Sequence, residues 1–484
     1  MSDAYVYPVS ENQRQLWLQL ATADIDNAYV VGALVRVHAA PDADALAEAL
    51  RWLIARHDAL RTAVREQGGE LVQVVYDELD PVAVRAALEW LADTATPADL
   101  ERAADRPLEV SVAPLIGVTV QRTGANEHLL AIRMHHIICD GWSLEIVVDE
   151  LLGAYADFAS GRSPQLDPVP LQFPDFALWL HDSESEAARD ERLQFWGEAL
   201  AGVPPELDMP RNRPRPPVLD HRSQGLRRTL PAELTARIER VAAAGGATVQ
   251  QLLLAGFQVV LARYCGQELF AMATVSARRD EPEFAGTVGF LANLIPVRAD
   301  LLGEPSFEQL LARVRAHTSA AMAHQDVGLP ELLASLGVPR VAGVPPLVQV
   351  GLQLLYEADC DRSAGEPTAG TAGGATMPWS RVPPPEDFAG ESPLDIAVTA
   401  LRGPALQLRV EYVTALYDAD FIADLIDNFI TLLDAATTTP QTVIWRLDLL
   451  NPAERQRVLA WSGSGSAVAA VGSGDGSLEG ERPA

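Results

Sequence analysis

Helix-period and strand-period patterns alternate along this chain twice over, and a proline-rich crossing separates the two series. In the first series, Ser10 to Ala21 has the pattern of a capped helix and Ala28 to Val37 that of a strand. Asp42 to His57 carries apolar residues at helical spacing (Leu46, Ala49, Leu50, Leu53, Ile54), and Ala63 to Val75 predicts two strands about Gly68-Gly69. Glu109 to Arg122 and Glu127 to Met134 predict further strands. Arg192 to Leu200 is helical in pattern, and Pro204 to Arg222, containing Pro-Arg-Asn-Arg-Pro-Arg-Pro-Pro, cannot continue either kind of element. Alternation then resumes. Pro231 to Ala244, Thr248 to Tyr264, Phe307 to Ala323 and Asp418 to Ala436 predict helices; Glu268 to Val275, Val348 to Leu355 and Asp395 to Val413 contain strands. This is the pattern of an α/β layered fold in two lobes, expected at 1–180 and 181–455. Arg362 to Ser392, rich in Gly, Pro, Ala and Thr, is long for a connection within a lobe and is expected to be a flexible loop. The Gly/Ser-rich, acidic end of the chain, 456–484, is expected to be a disordered tail.

Composition removes several classes of function. The formal net charge of −29 disfavours a nucleic-acid backbone or an anionic membrane as partner. All 37 basic residues are arginines, so Schiff-base lysines, lysine general bases and the P-loop lysine are excluded. The three cysteines, Cys139, Cys265 and Cys360, are far apart and have neither disulfide-framework nor zinc-site spacing. No basic and apolar leader is visible after Met1, and the longest apolar stretch, around Leu252 to Leu261, is too short to span a bilayer. A cytoplasmic location is expected.

The segment richest in chemistry is Met134-His135-His136-Ile137-Ile138-Cys139-Asp140-Gly141-Trp142. An apolar strand, Leu129 to Met134, ends in two histidines, and Asp-Gly marks a turn before a helix predicted from Leu144 to Phe158 with Ser143 as its cap. An imidazole at a strand exit is held rigidly and can face a channel, a good position from which to handle a proton. Side chains alternate along a strand, so His135 and His136 diverge; they do not share a metal ion, and His135 is read as structural. Asp140 is read as a buried carboxylate that needs an arginine, because an unpaired buried charge is costly. Cys139 is read as a small packing residue.

Several segments together resemble the condensation domains of nonribosomal peptide synthetases. His135, His136, Asp140 and Gly141 match the signature HHxxxDG. Ser10-Glu-Asn-Gln13-Arg-Gln-Leu16-Trp17 is similar to SxAQxRLW, and Arg56-His57-Asp58-Ala-Leu60-Arg61-Thr62 to RHExLRT. Phe173-Pro-Asp175-Phe176-Ala177-Leu178-Trp179 is similar to YxDFAVW, and Val288 to Arg298 to IGxFVNTxPxR. His324-Gln325-Asp326 is similar to the late H/NQDYPFE motif without its aromatics. The resemblance runs from about Tyr7 to about Trp461. It implies two chloramphenicol-acetyltransferase-like lobes in a V with a tunnel between them. A carrier protein's phosphopantetheine arm would bring a thioester donor to one face, and an amine or alcohol acceptor would enter from the other; no other cofactor and no metal is implied. The resemblance makes His136 the base or the positioner of the nucleophile. It suggests Arg278, with Arg61 as second choice, as the partner of Asp140. Gly141 either offers its N–H to an oxyanion or is a plain turn glycine, while Trp142, Ser143 and Asn293 are expected in the substrate tunnel.

The sequence departs from the pattern where substrates would be read. Leu294 stands for the usual Thr, Ala292 for Val, and Gly343-Val-Pro-Pro346-Leu347 for RNPL; the 362–392 loop falls where relatives carry a latch strand. The chain's ends give the expectation of a free-standing condensation enzyme that meets its carrier protein in trans. Two alternatives remain open: a non-catalytic module that recruits carrier proteins, and an epimerase of the same superfamily.

Overall fold

In the strand Glu127–His135, Leu130, Ile132 and Met134 are all buried on one face, and this alternation sets the orientation of the whole first sheet. The computed structural model describes residues 3–22, 29–182, 186–356, 379–382, 388–403, 405–451 and 454–460. The first half runs β1 (Ala4–Pro8), α1 (Glu11–Thr22), β2 (Val30–Val37), α2 (Ala43–Arg56), β3 (Thr62–Gln67), β4 (Glu70–Tyr76), α3 (Pro81–Ala86), β5 (Leu88–Trp90), α4 (Pro97–Ala104), β6 (Ile116–Gly124), β7 (Glu127–His135), α5 (Gly141–Ala159), α6 (Phe173–Asp182) and α7 (Glu186–Ala199). The second half runs β8 (Arg222–Thr229), α8 (Ala232–Ala244), α9 (Val249–Cys265), β9 (Leu269–Ser276), β10 (Asn293–Asp300), α10 (Phe307–Ala323), α11 (Leu329–Ser335), β11 (Val350–Tyr356), β12 (Trp379–Val382), β13 (Phe388–Glu391), β14 (Ile396–Arg402), β15 (Leu406–Val413) and α12 (Ala419–Thr438).

The first lobe has a three-stranded sheet, β1-β4-β3, and a five-stranded sheet, β12-β2-β7-β6-β5. Its core is formed by α2 and α5 against the Leu130–Ile132–Met134 face of β7. The second lobe is a seven-stranded mixed sheet, β10-β9-β11-β14-β15-β8-β13, with β11 parallel to both neighbours. Helices α8, α9, α10 and α12 bury its one face, and α7 and α11 pack Trp196 and Leu332 near β9 and β10 on the other.

Two pieces of the second half cross into the first. Phe284, Val288 and Leu291, between β9 and β10, join the first core beside Phe173 and Phe176. Strand β12 pairs antiparallel with β2, Trp379 opposite Val37, although it belongs to the stretch expected to be a loop. Strand β13 from the same stretch pairs with β8. The β-branched and aromatic residues at 379–382 meet an open sheet edge there, which overrides the loop-like composition around them. Residues 362–378 and 383–387 lie outside the described residues. Residues 454–460 are helical, so the start of the expected tail, 456–460, is not disordered; 461–484 lie outside the described residues.

The motif Arg56-His57 braces α5. Arg56 Nε (3.0 Å) and His57 Nε2 (2.7 Å) both meet Glu150 Oε2, and His57 is fully buried. Burial opposes ionisation of Glu150, but its bonds to His57 and Arg56 hold its carboxyl below the ordinary range. Glu150→Gln is expected to cost about 1–3 kcal/mol in urea unfolding, because the buried His57 and the partly buried Arg56 lose a charged partner.

Candidate active site

The site is built on the exit of β7. The strand ends at His135, and the chain tightens into a 3₁₀ turn, His136–Ile138. His135 Nδ1 accepts the Ile137 N–H (3.0 Å), and burial, then the neighbouring His136, push its imidazole down to about 4. His135 is therefore a neutral structural acceptor. His136 donates its backbone N–H to Tyr29 O (2.6 Å). Gln13, fully buried, donates from Nε2 to Ile137 O (3.0 Å) and to Gln73 Oε1 (3.1 Å). The opening motif thus lies under the turn and fixes its backbone. The His136 ring packs on Phe290 of the second lobe, centroids 4.6 Å apart and planes tilted by 53°. Its Nδ1 is buried and meets no hydrogen-bond partner among the described residues.

Four residues further on, Asp140 closes the seam between the lobes. Arg279 Nη1 and Nη2 donate to its two oxygens (2.9 and 3.1 Å), and the side chains are 2 % and 3 % exposed. The Ser143 N–H and Oγ lie 2.9 and 2.7 Å from Asp140 Oδ1; the Leu291 and Ala292 N–H groups donate to Oδ2 (3.2 and 3.0 Å). Asp140 is also the N-cap of α5. Ser143 Oγ accepts the Gly289 N–H (3.0 Å) and lies 2.8 Å from Gly289 O. A Cβ on Gly289 would sit 2.1 Å from the Phe173 ring, so only glycine lets this backbone approach the first lobe.

The structure corrects several expectations. Asp140 pairs with Arg279, not with Arg278 or Arg61. Strand β9 ends at Ser276, and Arg278 adopts a left-handed backbone (φ 50°), so the following residue is the one turned toward the first lobe. Arg278 donates instead to Gln325 O, and Arg61 to Tyr76 O and Asp58. Ser143 is neither the helix cap nor a tunnel residue, since its hydroxyl is buried in the clamp. Asn293 makes no hydrogen bond to His136 among the described residues: its amide nitrogen donates to Gln325 O (2.8 Å) and Val327 O (2.9 Å), and its oxygen lies 3.5 Å from Asn12 Nδ2. Trp142 is half exposed on the seam, donating from Nε1 to Ala285 O (3.1 Å) below the Arg279 guanidinium. Gly141 is the first residue of α5, and the space a Cβ would take is open. Cys139 is fully buried, and burial followed by Asp140 pushes its thiol well above the ordinary range, which removes it as a nucleophile. Sequence reasoning missed Arg279, Phe290 and the part played by Gln13. The doubled Arg278-Arg279 after a predicted strand was the available signal for the first.

No single helix among the described residues is long and apolar enough to cross a membrane; the bent pair α8–α9 has the length and composition together, but most of α9 is buried in the core. A cleft of 490 Å³ between α7, β10 and α10, lined by Trp196, Arg298 and His317 among others, shares no residue with the His136 site.

The model of the condensation domain family matches residues 3–459. The chain is 32% identical over 462 residues to a linear gramicidin synthase of Brevibacillus parabrevis, covering 94% of this chain and 9% of that one. It is 31% identical over 462 residues to phosphinothricin tripeptide synthetase PhsB of Streptomyces viridochromogenes, covering 94% and 38%. Among solved structures, the X-domain in complex with OxyB from teicoplanin biosynthesis superimposes with a TM-score of 0.80 at 25% identity, covering 93% and 97%. This chain belongs to the condensation domain family of nonribosomal peptide biosynthesis, with the two-lobed chloramphenicol-acetyltransferase-like fold. It spans only a fraction of the length of the curated relatives named.

Removing one member of the clamp strands a buried charge. Arg279→Met is expected to cost about 3–5 kcal/mol of unfolding free energy, with Asp140→Asn added to it costing much less than the sum; a double-mutant cycle by denaturant unfolding measures this. His135 gives a pH signature. The unfolded imidazole takes its proton near 6.5 and the folded one near 4, so the unfolded state binds more protons between those values. Stability is full above 6.5 and falls as pH drops toward 4, by up to roughly 3 kcal/mol. His135→Gln is expected to flatten that slope in pH-resolved unfolding.

Proposed function

We propose that this chain forms an amide or ester bond by transferring an aminoacyl or acyl group from a carrier protein's phosphopantetheinyl thioester to an amine or alcohol. The observation that carries this reading is the placement of His136: rigid at the exit of β7, supported from below by Gln13, and walled by Phe290 of the other lobe. A seam between two lobes suits two reactants that arrive from opposite sides, and holding both in place converts an encounter into a unimolecular step.

The chemistry asked of the site is modest. A nitrogen or oxygen lone pair attacks the thioester carbonyl carbon, a C–N or C–O bond forms, the carbonyl oxygen becomes an oxyanion, and the C–S bond then breaks to release thiolate. The nucleophile's proton leaves through the site. His136 orients the nucleophile or takes that proton. Gly141, first residue of α5 with open space above it, is suited to offer its N–H to the oxyanion, where the helix N-terminus adds a favourable dipole. Trp142, beside it on the seam, would line the approach. Asp140, His135 and Arg279 hold these groups in place.

A second reading is docking without turnover. It is favoured by the likeness to an X-domain solved in complex with another protein. Thioester consumption by the purified protein with a loaded carrier protein and a panel of amines and alcohols, followed by intact mass spectrometry, separates the two. Turnover is expected, and His136→Ala should lower it by about 10²- to 10⁴-fold while leaving the unfolding midpoint near that of the parent. Carrier binding without thioester loss in the parent protein would leave docking as the function.

A further inference from the structure

In acyl-transfer sites that use a histidine, the ring is commonly oriented by a hydrogen bond to the nitrogen that does not face the substrate. Here no such bond is present among the described residues. His136 Nδ1 is buried without a partner among the described residues. The nearest carboxylate in sequence, Asp140, is occupied by Arg279, Ser143 and the Leu291 and Ala292 amides. The neighbouring His135 has turned its Nδ1 to the Ile137 N–H. What packs on the His136 ring is Phe290, at 4.6 Å between centroids with the planes tilted by 53°.

Phe290 is itself firmly held for a loop residue. Gly289 before it donates its N–H to Ser143 Oγ, its carbonyl oxygen lies 2.8 Å from the same hydroxyl, and it is pressed against Phe173. Leu291 and Ala292 after it donate to Asp140, and Ala292 O accepts from Asn12 Nδ2 (2.8 Å). These backbone anchors on either side of Phe290 are all first-lobe groups, so the aromatic ring is delivered to His136 by the closed seam.

We propose that Phe290 is a positioning residue for His136, fixing the imidazole by packing where a hydrogen bond would otherwise do so. The proposal rests on the acyl-transfer reading for its kinetic consequence and on geometry alone for its structural one. A tilted aromatic contact of this kind restricts ring rotation without charge. Loss of that wall leaves the ring free to leave its reactive orientation, and misplacement on the scale of an ångström costs about a hundredfold. It also makes catalytic competence depend on the lobes being together, because the wall and the imidazole come from different lobes.

The test uses Phe290→Ala and Phe290→Leu in the full chain, with ¹³C-labelled histidine and the His136 ring resonance identified by its loss in His136→Asn. The proposal expects Phe290→Ala to lower kcat about ten- to a hundredfold with the KM for the loaded carrier little changed. It expects the His136 Cε1–H order parameter to fall in the same variant, and Phe290→Leu, which refills most of the volume, to restore both. Unchanged ring order in Phe290→Ala overturns the proposal whatever the activity does. Lost ring order with unchanged kcat also overturns it, as does a Phe290→Leu that rescues neither. A parent protein without turnover whose ring order still falls in Phe290→Ala would sink the acyl-transfer reading and leave the positioning contact standing.

Discussion

The buried pair between Asp140 and Arg279 is the constraint on which the rest of the site depends. Asp140 caps α5 in the first lobe and Arg279 follows β9 in the second, so the pair is a bolt through the seam. A buried ion pair is a weak source of net stability, since desolvating two charges costs about what their attraction returns. Its merit is geometric. Two charged groups satisfied by seven further hydrogen bonds have essentially one arrangement, whereas an apolar contact of equal area tolerates sliding.

That single arrangement propagates in two directions. Through Asp140 it sets the first turn of α5, and with it Gly141 and Trp142. Through the Leu291 and Ala292 amides it draws the 284–292 segment into the first core, where Phe284, Val288 and Leu291 replace water with apolar contact. Ser143 Oγ sits where the two paths meet, bonded to Asp140, Arg279 and Gly289. The site is thus made by folding two lobes against each other, and neither lobe carries it alone.

Much of this is legible in the sequence, and the exceptions have identifiable causes. The β7-turn-α5 unit follows from alternation up to Met134 and the Asp-Gly that ends it, and the divergence of His135 and His136 follows from a period of two. The capping partnership of Ser10 and Gln13 is equally local. What a linear reading cannot supply is the direction of a residue just past a strand end. At Ser276 the period of two stops applying, and one residue with positive φ moves the inward-facing position from Arg278 to Arg279. The cap of α5 falls on Asp140 instead of Ser143 for a related reason: Asp and Ser compete for the same helix start, and here the cross-lobe partner of the carboxylate decides between them. Strand β12 is hidden because the composition around it reads as loop and its pairing edge, β2, lies near the opposite end of the chain, in the other lobe.

Seen from the chemistry, most of the residues that carry the resemblance to the family are scaffold. Arg56 and His57 hold Glu150 on α5, Arg61 holds Asp58, Gln13 holds Ile137, Asn293 holds Gln325 and Val327. Of the motif residues, His136 is the one that presents a titratable ring against the other lobe. An arrangement of this kind is what acyl transfer from a thioester permits: the leaving group is good and the nucleophile is delivered, so the protein needs few reacting groups and many that fix distance and angle. The departures at Leu294 and Ala292 lie next to the clamp and leave its backbone hydrogen bonds in place. Ala292 acts through its backbone N–H and carbonyl, which any residue but proline supplies, while the clamp itself is made by the carboxylate of Asp140 and the guanidinium of Arg279.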